Sequence, residues 1–207
     1  MTIVHYAPTT TLREARALYF AANGFGPNGG YDDAWVDFKL GPVPLPFPNT
    51  RARVRAVGFH DLHHVLTGYD TDTIGEFEIS AWEIAAGCKG FVAAWQLNLG
   101  GMFAGLLVAP RRTFHAFLRG RHSHSLYGGE LEALLDCSVV QLRDRTGVDQ
   151  PTKALRAVDA ALFGLAQLAG LPMALLGLSF ALLFLPWGLA TLAWRRVKAQ
   201  TKAPHPS

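Results

Sequence analysis

From Ala160 to Trp194 the chain runs for 35 residues without a charged side chain, and this constrains its architecture more than any other feature. The run is rich in Leu, Ala, Phe and Gly, and a domain of this size would not leave so much contiguous apolar surface in water. Lipid is the environment it suits. Lys153 and Arg156 precede it and Arg195, Arg196, Lys198 and Lys202 follow it, and lysine and arginine favour the cytoplasmic side of a bilayer. Two full spans need about 40 residues plus a turn. The expected shape is therefore a tight, re-entrant helical hairpin bent near Gly170-Leu171-Pro172, with both ends on the cytoplasmic side. A single span from near Pro172 to Trp194 is the other arrangement, with Trp187 and Trp194 as interfacial anchors and the terminal basic cluster on the far side. Packing of the tail as core or as a dimer interface is the soluble counterpart.

Before the tail there is enough chain for one domain, and with 50% of all residues apolar a core forms without staples. The only cysteines, Cys88 and Cys137, have neither CxxC nor metal-ligand spacing, which fits a reducing compartment. Cys88 is expected as a small core residue. The first apolar stretch, Ala15 to Phe25, is interrupted by Arg16 and follows Arg13 and Glu14, so it does not read as a secretory leader and the domain is expected in the cytoplasm. The formal charge is only +3, but it is clustered. Arg51, Arg53 and Arg55 form one group, and Arg111, Arg112, Arg119 and Arg121 with His115, His122 and His124 another. Such groups suit anionic lipid headgroups or a phosphate or carboxylate on a substrate, and equally an ordinary solvated helix face. Nucleic acid is not an expected partner, because no nucleic-acid-binding motif accompanies them.

The patterning predicts an all-α fold: a helical bundle with a C-terminal apolar membrane-associated helical hairpin. Four parts follow, at 1–49, 50–156, 157–198 and a disordered 199–207. Thr11-x-x-Glu14 caps a first helix that ends near Ala22, at Asn23-Gly24. Residues 24–49 are irregular, with Gly24, Gly26, Gly29 and Gly30 in turns, an alternating piece from Ala34 to Leu40, and a polyproline-like strip set by Pro42, Pro44, Pro46 and Pro48 lying across the bundle. Asn49 is the candidate cap of a helix over 50–67, and a second helix runs from near Thr73 toward Gly87. Residues 90–110 are uncharged and long enough to span a membrane. Gln96, Asn98, Gly100, Gly101 and Gly105 dilute their apolarity, so a buried helix broken or kinked at Gly100-Gly101 is expected instead, its small residues allowing close helix approach or a groove for an aliphatic chain. A basic helix follows at 112–124, then a break at Tyr127-Gly128-Gly129. Helical spacing returns from Glu130 to Arg145.

Chemistry concentrates at residues 60 to 76. His60 and His64 are four apart and leave one helical face together, within reach of one ion. Asp61 flanks them, and after a turn at Gly68 the loop from Tyr69 to Gly75 is long enough to bring Glu76 back to face the histidines. Glu76 has an alternative role, as the reciprocal partner of Thr73 in a capping box. Apolar Val57, Phe59, Leu62 and Val65 surround the polar set, and polar groups interrupting a packing surface need partners. His63 is expected as a supporting or surface group, and Glu83, seven residues beyond Glu76, as a fifth ligand or an orienting group. Glu78 points away.

The string His-Asp-x-x-His, then eleven residues and a Glu, matched by His60, Asp61, His64 and Glu76, resembles the signature of the coenzyme Q biosynthesis protein 4 family. The surrounding Asp61-Leu62-His63-His64-Val65-Leu66-Thr67-Gly68-Tyr69 is similar too, and the likeness covers residues 50 to 147. It implies an all-helical, membrane-associated protein of ubiquinone synthesis in which His60, Asp61, His64 and Glu76 hold a divalent metal, zinc foremost with iron or manganese as alternatives. It further implies a polyprenylated quinone precursor or other isoprenoid lipid as ligand, and replacement of the carboxylate at ring carbon 1 by a hydroxyl. Membrane lipid, other quinone biosynthesis proteins and a second copy of the chain are the implied partners, and the cytoplasmic side of the inner (cell) membrane the implied location. A non-catalytic lipid-binding or scaffold role is the second reading. A phosphohydrolase of the histidine-aspartate type is the third, weakened because the only upstream histidine is His5.

Overall fold

Local side-chain chemistry sets where the first helices begin and end. In the computed structural model, which describes residues 6–40, 43–151 and 154–201, helix α1 covers Leu12–Asn23 and opens on a capping box in which Thr11 and Glu14 bond reciprocally. Gly24 closes it in the left-handed conformation at φ 68°. Helix α2, Arg51–Thr67, is capped by Thr50 rather than Asn49. Asn49 instead donates its amide to the carbonyls of Gly30 and Asp33 at 3.1 and 2.9 Å and accepts from Arg53 at 2.8 Å. It therefore clasps the preceding loop. His5, Pro42, Lys153, Lys202 and the end of the expected disordered tail lie outside the described residues.

Within 24–49 the irregular strip resolves into a hairpin. Strands β1, Trp35–Leu40, and β2, Val43–Pro48, pair antiparallel from Trp35↔Pro48 to Leu40↔Val43. The Asn49 amide donates to Ala34 at 3.0 Å. By alternation, the backbone N–H groups of Val43, Leu45 and Phe47 then turn toward β1, and the positions whose backbone nitrogen turns outward, 44, 46 and 48, are prolines without an N–H. An edge with no outward donor has little to offer another strand. Polyproline and β backbones differ little, so the extended conformation was readable and the pairing partner was not.

Helix α3, Thr73–Ala86, carries the core. Trp82 and Ile79 are fully buried with Leu62 and Leu66 of α2, and the Trp82 indole donates to Ser123 at 2.9 Å. Helix α4, Val92–Val108, is continuous through Gly100-Gly101, with no break there. It lies between α3 and the last helix, and its glycines serve proximity: a Cβ on Gly101 would sit 2.5 Å from Ser80 Oγ, and one on Gly105 2.8 Å from Phe77 Cβ. Only one stripe of α4 is buried; Val92, Leu97, Leu107 and Val108 are exposed. Helix α5 is Pro110–Gly120. The expected single helix from Glu130 divides into α6, Leu131–Leu135, and α7, Val139–Thr146. Ser138 starts α7 with its own capping box to Gln141 and forms an isolated bridge to Thr11.

Helix α8, Ala157–Thr201, corrects the hairpin expectation. It is one continuous helix of 45 residues with Pro172 and Pro186 inside it. Gly170 does not bend it; that glycine lets it touch α4, where an added Cβ would meet the Leu99 carbonyl at 2.6 Å. Its start is fixed by buried Asp159, which accepts from Arg121 at 3.3 Å and Arg156 at 3.0 Å. Phe163 packs on Phe114 and Phe117, and Phe180 reaches Phe47 of β2. Ser179 and Thr191 bond the carbonyls one turn back at 2.8 and 2.9 Å, which satisfies their hydroxyls without water. Residues Ala157–Trp194 are long and apolar enough to cross a membrane, an 18-residue stretch within them reaching a mean hydropathy of 2.2. A continuous helix carries its two ends apart, so the inference that both flanks share one side of a bilayer falls with the hairpin.

Candidate metal centre

Two close approaches bring α2 and α3 into position. Gly68 ends α2 in the left-handed conformation, its N–H bonding the His64 carbonyl at 2.9 Å. The chain then doubles back so tightly that a Cβ on Gly75 would collide with the Asp70 carbonyl. Asp72, not Thr73, caps α3, its carboxylate accepting from the Gly75 amide at 2.7 Å. Glu76 is thereby released from the capping-box role and faces α2.

His60, His64 and Glu76 converge there, each offering one ligand atom, all within 4.8 Å of one another. His60 Nε2 and His64 Nε2 are 3.1 Å apart, and the Glu76 oxygens lie 3.3 and 3.4 Å from them. The far side of each ring decides what these nitrogens carry. His64 Nδ1 is 2.9 Å from the Tyr69 carbonyl, and His60 Nδ1 is 3.0 Å from Glu83. A carbonyl and an ionised carboxylate only accept, so both Nδ1 atoms hold the proton and both Nε2 lone pairs point at Glu76. Two lone pairs at that separation repel unless a cation or proton lies between them. His64 is buried, whereas the Glu76 side chain is 44% exposed, so the cluster opens on the Glu76 side.

The electrostatics agree. Burial acts to raise Glu76, but the bonds and charges of His60 and His64 outweigh it and hold its carboxyl at about 2. Burial acts to lower His60, yet Glu83 and Glu76 outweigh it and hold the imidazole well above its ordinary value. Without a metal, that proton stands where a cation would.

The structure places the other expected residues differently. Asp61, anticipated as a fourth ligand, is not among the converging atoms. One helical step rotates it toward α1, where it accepts from Tyr31 at 2.5 Å and Tyr19 at 3.4 Å, and burial raises its pKa. The Tyr19 ring stacks on His64 at 5.7 Å. His63 is fully buried, and Glu83 lies behind the ligands, bonded to both His60 and His63. Glu78 does point away, into a two-point pair with Arg112. Much of the second basic cluster is spent internally: Arg119 donates to the carbonyls of Thr67 and Val148, and Arg121 to Asp159. Tyr19, Tyr31, Asn98 and Tyr127 were missed because nothing in their local spacing ties them to residues 60 to 83. Buried tyrosine hydroxyls need partners, but only the fold names the partner.

Comparison with protein-family models, with curated proteins and with solved structures gives no match to this chain. Two imidazole nitrogens and one carboxylate could hold a divalent ion, with coordination positions left over for a substrate. Such a donor set suits zinc, manganese and, in oxygen chemistry, iron.

Proposed function

We propose that the chain is a membrane-anchored, metal-dependent protein of ubiquinone biosynthesis that replaces the ring carboxyl of a polyprenylated benzoate precursor by a hydroxyl. The observation that carries this reading is the convergence of the His60, His64 and Glu76 donor atoms beside a solvent opening, on a chain that ends in a long apolar helix. A polyprenyl tail stays in lipid while its ring must reach a polar site at the surface, and a helical metal pocket next to a lipid anchor meets both needs. With Asp61 engaged by Tyr31 and Tyr19, the ligands reduce to two histidines and one carboxylate, the set non-haem iron uses with dioxygen. A metal bound there supplies a docking point for the substrate carboxylate and a route for electrons to oxygen. In the net reaction the carboxyl carbon leaves as carbon dioxide. One atom of dioxygen becomes the ring hydroxyl and the other leaves as water, using two electrons and two protons from an added reductant.

The chain's own residues prepare this site. Tyr69 and Glu83 hold the imidazole rings, Glu76 faces the opening, and Tyr19 covers His64 from α1. We place the metal helices on the cytoplasmic face of the cell membrane, consistent with Cys88 and Cys137 standing as free thiols. The same engagement of Asp61 speaks against the histidine-aspartate phosphohydrolase reading.

A strain carrying His64→Ala should lose quinone and accumulate a carboxylated precursor, read by mass spectrometry of extracted lipid. Normal quinone in that strain defeats the enzymatic reading. The exposure of α8 favours a second reading, a lipid-binding or scaffold protein, in which deleting residues 178–207 harms the strain more than losing His64 does.

A further inference from the structure

Three histidines lie within one turn and a half of α2, and spacing alone lets any of them reach an ion. We infer that Glu83 is a positioning residue that selects among them, fixing which nitrogen of His60 faces the metal and removing His63 from the ligand set. This rests on the metal reading above.

Glu83 is fully buried, and its one carboxylate collects four donors. Oε1 receives His60 Nδ1 at 3.0 Å and His63 Nδ1 at 2.6 Å. Oε2 receives the Tyr127 hydroxyl at 2.8 Å and the Asn98 amide. The Leu126 amide on His63 Nε2 leaves the His63 proton on Nδ1, and the Asn98 amide nitrogen can only donate, so each Glu83 oxygen already holds an obligate donor and no place remains for a carboxyl proton. An ionised carboxylate only accepts, so His60 and His63 both carry their proton on Nδ1. For His63 the remaining nitrogen is also used, because Nε2 accepts the Leu126 amide at 2.9 Å. It has no lone pair left for a metal. For His60 the remaining nitrogen, Nε2, faces His64 and Glu76.

The two ligands are therefore unequal. His64 is backed by a neutral carbonyl and His60 by a full negative charge, which makes His60 the stronger donor. Tyr127 and Asn98 keep the carboxylate from swinging forward, so Glu83 acts from behind the ligand and not as one itself.

The test needs no variant at first. In zinc-loaded protein with 15N-labelled histidine, long-range 1H–15N correlation should show His60 and His64 bound through Nε2 and protonated at Nδ1, with the His63 pattern unmoved by zinc. His60 bound through Nδ1, or His63 bound at all, overturns the inference. Glu83→Gln should then lower Co2+ affinity by about 10–100-fold and shift the visible cobalt bands, with far-UV circular dichroism retained. Glu78→Gln, on the same helix but facing Arg112, should leave both at wild-type values. Wild-type affinity and spectrum in Glu83→Gln would overturn the positioning role alone. A wild-type protein that takes up neither zinc nor cobalt would overturn the metal reading as well.

Discussion

At the scale of single residues, the cluster makes the metal-free protein sensitive to pH at both ends. Glu76 has its folded pKa depressed to about 2, and that of Glu83 is also depressed. A depressed carboxylate stabilises the fold fully above its unfolded pKa of about 4.3 and loses that contribution as pH falls through the folded value. His60 is raised, so its contribution is full below about 6.5 and is lost as pH rises through its folded value. In chelator, the melting temperature should peak in the mildly acidic range and fall on either side. Zinc should abolish the alkaline fall, because the ion takes over the role of the His60 proton. A melting temperature that stays flat in chelator from pH 5 to about 2.5 would show that these carboxylates are not held as described.

At the scale of elements, glycine positions and one amide decide how helices meet. Gly75 lies in the first turn of α3, where the preceding loop folds back over it, and a methyl there collides with the Asp70 backbone, which cannot rotate away. Gly75→Ala should destabilise by about 1–3 kcal/mol, exceeding the roughly 1 kcal/mol gained in helix propensity, and should weaken Co2+ binding by moving Glu76. Binding equal to wild type, by cobalt titration, would mean that Glu76 tolerates the shift. On α8, Gln167 is buried and its amide nitrogen and oxygen have no hydrogen-bond partner among the described residues. An unsatisfied buried amide costs more than an apolar side chain of the same shape, so Gln167→Leu should stabilise the protein by about 1–2 kcal/mol. Thermal unfolding in mild detergent measures this, and a lowered midpoint would contradict it.

At the scale of the molecule, α8 has two portions with different surroundings. Its apolar stretch, Ala157–Trp194, is 38 residues, about 57 Å at 1.5 Å per residue, against about 30 Å of bilayer hydrocarbon. The first portion lies on α4 and α5 through Phe163 and Gly170, while Leu182, Leu183 and Trp187 farther along are exposed. The full chain should float with lipid vesicles and resist extraction at alkaline pH. Removal of residues 178–207 should abolish that resistance while leaving the Co2+ site intact, since the α4 contact is kept. Persistence of the resistance in the truncated protein would assign membrane attachment to the apolar surface that remains, at Leu97 and Leu107 on α4 and at Leu165 and Leu168 on the first portion of α8.

Local rules account for much of this protein. The Thr11 box, the Gly24 and Gly68 stops, the extent of α3 and the lipid-suited tail all depend on neighbours within a few residues, and so does the i, i+4 pairing of His60 with His64. The convergence of Glu76 was legible as well, because the short connection after Gly68 allows few other places for α3 to start. Asp61 was not, and Glu83 was legible only as either a fifth ligand or an orienting group. Asp61 directly follows His60 and Glu83 lies two turns beyond Glu76, and what separates their roles is which distant groups reach them: Tyr31 and Tyr19 draw Asp61 aside, whereas Tyr127 and Asn98 hold Glu83 behind the ring of His60. The shape of the tail escaped for the same reason. Proline and glycine at 170–172 suit a turn between two helices in isolation, but the Leu99 carbonyl of α4 takes up the space that Gly170 leaves, and the helix runs on without interruption against α4.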